Sequence, residues 1–106
     1  MRRGEVWWAN LEPTQGSEIR KARPVVVLTI DAVNRARRTV VIVPLTTSRD
    51  PRPPVRVAVP SAGQDSAAAC DQLRAVDKGR LERPQGRLSP VDLRAVEDGV
   101  RVILGL

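Results

Sequence analysis

Apolar positions along the chain fall into short, largely β-branched blocks separated by polar turns, and one segment at the C-terminus carries a helical period. Residues 4–11, GEVWWANL, predict a strand. Trp7 and Trp8 are adjacent, so their rings point to opposite faces: one can enter the core and the other covers a surface. Residues 12–22, EPTQGSEIRKA, form a polar loop whose length in so small a chain marks it as mobile or functional. Residues 24–30, PVVVLTI, are continuous and apolar, the pattern of a strand covered on both faces. Asp31 opens a turn or a single helical turn that ends in a basic tip at Arg35, Arg37 and Arg38. Residues 39–46, TVVIVPLT, predict another buried strand, in which Pro44 implies an edge position or a bulge that bends the chain.

The second half alternates strand and turn signals. VRVAVP, 55–60, has the alternation of a half-exposed strand. AAACDQLRAVD, 67–77, opens on helix-favouring alanines, but a strand is expected through Gln72–Val76. KGRLERPQGRLS is turn-rich, with room for a brief strand. SPVDLRAVEDGVRVILGL is the clearest helix: Ser89 suits the N-cap, Pro90 the first helical position, and Asp92 lies three residues after the cap. Leu93, Val96, Val100 and Ile103 recur at helical spacing as one apolar stripe, Gly99 weakens the helix and Gly105 ends it. The pattern predicts one mostly β domain over residues 1–106, a small closed or half-closed β-barrel with a C-terminal α-helix.

Charge adds a partner class. The formal net charge is +6, and among the cations only Lys21 and Lys78 are lysines. Guanidinium forks match phosphate oxygens, so the balance points to a polyanion, most simply a nucleic acid; codon bias toward arginine and an ordinary solvated surface are the alternative. The single cysteine, Cys70, excludes an internal disulfide, fits a reducing compartment, and in its apolar context reads as a buried, inert thiol. No stretch is apolar enough for a membrane span, and no signal peptide is apparent, which together predict a cytoplasmic protein.

The absence of histidine removes Ser-His-Asp triads, His-based ribonucleases and the usual zinc sites. The carboxylates are scattered singly, so neither a metal nor another cofactor is expected. What remains possible is RNA cleavage in which the 2′-hydroxyl attacks its own phosphate while cations stabilise the phosphorane. Each residue suited to that task has a plainer alternative. Arg23 is a stabilising cation or a solvated charge at a strand start. Thr46 is a hydrogen-bond donor to a phosphate oxygen or a strand-end hydroxyl bonding the local backbone. Gln72 is a base reader or a satisfied core amide, and Glu18 is a base or a group that orients an arginine.

These residues sit in segments that resemble the MazF/PemK family of toxin–antitoxin endoribonucleases. RGEVWWANLEPTQGSE resembles its opening strand and first loop, RPVVVL its second strand, VPLTTS the strand end carrying its threonine, and DQLRAVDKGRL its late strand and turn. The resemblance implies an SH3-like barrel, a homodimer, and metal-independent cleavage of single-stranded RNA to 2′,3′-cyclic phosphate and 5′-hydroxyl ends. It implies catalytic roles for Arg23 and Thr46, with Ser17, Glu18, Arg20, Lys21 and Gln72 along the RNA groove. An acidic antitoxin is the expected protein partner, with DNA bound in its company. Residues 49–65, RDPRPPVRVAVPSAGQD, match no motif of the family, and loops of this kind help set the sequence it cuts. The competing readings are a CcdB-like toxin that binds DNA gyrase without catalysis and a catalytically inactive RNA-binding module.

Overall fold

The computed structural model describes residues 1–106 apart from Thr14 and Arg20. Among them the chain forms β1 (Glu5–Asn10), β2 (Ala22–Val27), α1 (Asp31–Ala36), β3 (Thr39–Thr47), β4 (Arg56–Ala58), β5 (Ser66–Ala69), β6 (Arg74–Asp77), β7 (Leu81–Arg87) and α2 (Pro90–Leu104). The seven antiparallel strands make one coiled sheet in the order β4-β5-β3-β2-β1-β7, with β6 also paired to β3. No pairing joins β4 to β7 among the described residues, so the barrel is half-closed.

Alternation along the central strands builds two cores, one on each face of the sheet. Val26 of β2 and Val43 and Leu45 of β3 enter a cluster with Val57, Cys70 and Val96. Val25 and Val27, with Val40 and Ile42, enter a second cluster with Leu11, Val76 and Leu81. The three consecutive valines of β2 are each fully buried, as a strand covered on both faces requires. That strand stops at Val27, short of the expected 24–30, because Thr29 takes over the ladder: its hydroxyl accepts the Val41 N–H at 3.1 Å.

Pro44 is not on an edge. β3 is the central strand, pairing with β2 on one side through Ile42–Pro44. On its other side it pairs first with β6 over Thr39–Ile42 and then with β5 over Leu45–Thr47. Pro44 falls between these two segments, where it has no N–H to offer a neighbour. The chain between β5 and β6 therefore steps outward in a 3₁₀ turn, Cys70–Gln72, before pairing resumes at Arg74. This corrects the expected strand through Gln72–Val76: Gln72 belongs to the turn, and β6 begins two residues later.

α2 follows its sequence signals. The Ser89 hydroxyl accepts the Asp92 N–H at 3.1 Å, and Gly105 adopts φ +72° to cap the C-terminus. Leu93, Val96, Val100 and Ile103 pack on the first core. Gly99 brings the helix close: a Cβ there would lie 3.0 Å from Cys70 Sγ and from Val57 Cγ2.

Candidate functional site

Two positions beyond the Val25–Pro44 pair on each strand stand Arg23 and Thr46. Both are half-buried and line one open cleft of about 370 Å³, with Pro24, Thr47, Ala62 and Ser66. Each is mounted on a fixed backbone. Arg23 pairs with Ala9 of β1, is biased toward extended conformation by the following Pro24, and leads directly into three buried valines. Thr46 pairs with Ala67 of β5, whose small side chain is completely buried. A guanidinium and a hydroxyl thus converge from adjacent strands on a cleft open to a large substrate.

The opposite wall of the cleft is a 3₁₀ turn, Pro60–Ala62, that α2 holds in place. The buried Asp92 carboxylate accepts the Ser61 N–H at 2.8 Å and the Ser61 hydroxyl at 2.5 Å. Ser61 Oγ in turn accepts the Ser89 N–H at 3.0 Å. Pro24 and Ala62 also border an adjoining depression that reaches Gln85 and Arg87. Beside it the Arg83 guanidinium lies over the Trp8 ring, 5.1 Å from its centroid. Trp8 is half-buried and pairs in register with Pro24, whereas Trp7 packs against the second core.

A second cluster joins the β1–β2 loop to the turn at Gln72. Gln72 Oε1 accepts the Ile19 N–H at 3.3 Å, and Ile19 packs on the second core. Glu18 Oε1 accepts the Gln15 N–H at 3.1 Å, while Glu18 Oε2 lies 3.9 Å from Arg74 Nη1. Lys21 is exposed with φ +67°, its N–H donated to the Glu12 carboxylate at 3.0 Å, and Ser17 is exposed within the loop. The structure so brings Arg23 and Thr46 together and gathers Glu18 and Gln72 in a neighbouring cluster. Ser17 and Lys21 remain on the exposed loop, and Arg20 lies outside the described residues. Arg23, Thr46 and Arg74 alternate in step with Val25, Ile42 and Val76, so all three project from the sheet face of the second core.

Three site residues escaped the sequence reading. Ala62 and Ser66 flank a turn in and just after a segment without recognisable motif. Arg74 reads as an unremarkable strand charge until the β1–β2 loop is folded over it. Two titratable groups are shifted elsewhere. Burial and the neighbouring Asp71 push the Cys70 thiol up to about 11, against a smaller opposing effect of Arg56. Burial raises the Glu5 carboxyl, but hydrogen bonds from the Arg2 N–H and the Trp7 indole, with the N-terminal and Arg87 charges, outweigh it and hold the carboxyl below its ordinary value.

The model of the PemK-like, MazF-like toxin of type II toxin–antitoxin systems matches residues 2–104. Endoribonuclease MazF9 of Mycobacterium tuberculosis is 32% identical over 115 aligned residues, covering 100% of this chain and 98% of its own. Endoribonuclease MazF of Staphylococcus saprophyticus is 33% identical, covering 100% and 92%. Among solved structures, MazF of Deinococcus radiodurans superposes with a TM-score of 0.87 at 26% identity, covering 100% of this chain and 97% of that one. The MazE–MazF complex of the same organism matches with a TM-score of 0.80 at 25% identity, covering 100% and 97%.

Proposed function

From a chain that belongs to the PemK-like, MazF-like toxin family, we infer a toxin endoribonuclease of a type II toxin–antitoxin system, with its chemistry at Arg23 and Thr46. The observation that carries the assignment of the site is the convergence of these two side chains on one cleft from adjacent strands. In the reaction the substrate's 2′-oxygen forms a bond to the adjacent phosphorus. The bond to the 5′-oxygen breaks, and that oxygen takes up a proton in exchange for the one the 2′-hydroxyl gives up. The products are a 2′,3′-cyclic phosphate and a 5′-hydroxyl. The Arg23 guanidinium offsets the charge that builds on the non-bridging oxygens, and the Thr46 hydroxyl donates a hydrogen bond to one of them. This route needs no metal ion. Glu18, whose carboxylate faces Arg74, supports the reading of a residue that orients an arginine better than that of a free base.

Single-stranded RNA fits the site: the cleft is open, it holds the Arg23 guanidinium, and Arg87 borders the adjoining depression. An acidic antitoxin would compete for the same cations, in keeping with the net charge of +6. We place the protein in the cytoplasm, where mRNA is; no helix among the described residues is long and apolar enough to cross a membrane. A homodimer is the expected assembly, since a core of this size gains stability from association. The family match favours this reading over a gyrase-binding toxin.

The deciding experiment incubates the purified protein with a long unstructured RNA in EDTA and maps the new 5′ ends. Cleavage at a limited set of sequences is expected, lost in Arg23→Ala while its circular dichroism stays native. Full activity in Arg23→Ala would remove the site assignment, and dependence on added divalent metal would remove the metal-free route.

A further inference from the structure

Arg74 holds an unresolved position in the hydrogen-bond economy of the molecule. Its Nη1 is buried and donates to no acceptor among the described residues. The nearest anionic oxygen, Glu18 Oε2, stands 3.9 Å away, beyond hydrogen-bond reach. A buried guanidinium nitrogen without an acceptor is a costly state, so a closer anion would be taken up readily. The carboxylate that faces Arg74 is itself about half-exposed. Glu18 belongs to the β1–β2 loop, which is tied to the turn at Gln72 and to β6 by the Gln72–Ile19 bond and the Glu18–Arg74 pair.

We propose that Arg74 is a second phosphate-binding cation of the RNA groove, masked by Glu18 until substrate arrives. This rests on the endoribonuclease reading above. An RNA phosphate displaces the Glu18 carboxylate, lifts residues 15–19 and accepts the hydrogen bond that Nη1 lacks. The placement suits a strand running through the cleft. Arg74 pairs with Ile42, four residues along β3 from Thr46, a separation of about 13 Å at ~3.3 Å per residue. Long side chains span much of that distance, so one nucleotide strand can reach both cations from the same sheet face. Arg74 then acts on binding and register, and Arg23 and Thr46 on chemistry.

The test measures affinity across salt concentrations with a fluorescein-labelled 2′-deoxy 12-mer of random sequence, which cannot be cut. Arg74→Gln is expected to weaken binding about 5- to 20-fold and to reduce the salt slope by about 0.7, the contribution of one single-strand phosphate. Arg74→Lys should restore the slope. In RNA cleavage, Arg74→Gln should raise KM with kcat within about twofold of wild type. Glu18→Gln, which removes the competing charge, should tighten binding of the 12-mer. An unchanged affinity and slope in a folded Arg74→Gln protein overturns the proposal, as does weaker binding by Glu18→Gln. Failure of the wild-type protein to cut RNA would count against the enzymatic reading instead, whatever the slope at Arg74.

Discussion

Arg23 and Thr46 do different work, and conservative substitutions separate them. A guanidinium presents a planar fork to phosphate, whereas an ammonium is a point charge. Arg23→Lys is therefore expected to fold normally and lose about 10²- to 10³-fold in kcat, the usual cost of one transition-state donor. Thr46→Ser should keep most activity and Thr46→Val should lose it, as single-turnover kinetics will show. Cys70 is a residue of the core alone. Its thiol is raised from 9.0 to about 11, so folding favours the neutral form. The stability this confers is complete below pH 9 and is lost as pH rises toward 11. Urea midpoints of wild type and Cys70→Ala, compared at pH 8 and pH 10.5, should converge at the higher pH. Ellman's reagent should label Cys70 only after unfolding.

At the level of elements, α2 is where sequence and structure agree best, because its signals are local: a capping serine, a proline at the first helical position and an apolar stripe one turn apart. The 3₁₀ turn at Cys70–Gln72 was illegible for the opposite reason. It arises where β3 changes partners at Pro44, more than twenty residues away in the chain, and nothing within AAACDQL announces it. The same distance hid Arg74, whose meaning depends on a loop 56 positions earlier, at Glu18. Arg23 and Thr46 stand at the ends of apolar blocks that the pattern does show, but strand pattern leaves each open between a site role and a structural one, and their catalytic roles come from the family resemblance alone. Gly99 shows how a propensity argument reverses in context. Alanine there would gain about 1 kcal/mol of helix propensity. Its methyl would press on Cys70 Sγ and Val57 Cγ2 at 3.0 Å, and crowding of this kind costs about 1–3 kcal/mol. Gly99→Ala should therefore destabilise wild type, and by less beside Cys70→Ala, which relieves the contact with Sγ but not those with Val57 Cγ2 and the Pro54 carbonyl; a double-mutant cycle on thermal unfolding will read the coupling.

Across the whole molecule, charge and assembly set how the cleft meets its partners. Light scattering at micromolar concentration should return twice the 11.6 kDa mass of one chain. A monomer mass would remove the dimer. β3 also has a consequence for how the molecule opens. It is the one strand shared by β2, β5 and β6, with two separate partners along one side and a third along the other. Peeling away any one of the three leaves β3 still paired elsewhere, so the strand keeps its place, although each of its amides is held by one neighbour only. Deuterium should therefore enter Val41 and Val43, whose amides are directed at β2, last, while β4, β6 and β7, each paired along one side only, exchange through smaller local openings. The threonine of the cleft thus stands on the strand held by the most neighbours in the sheet.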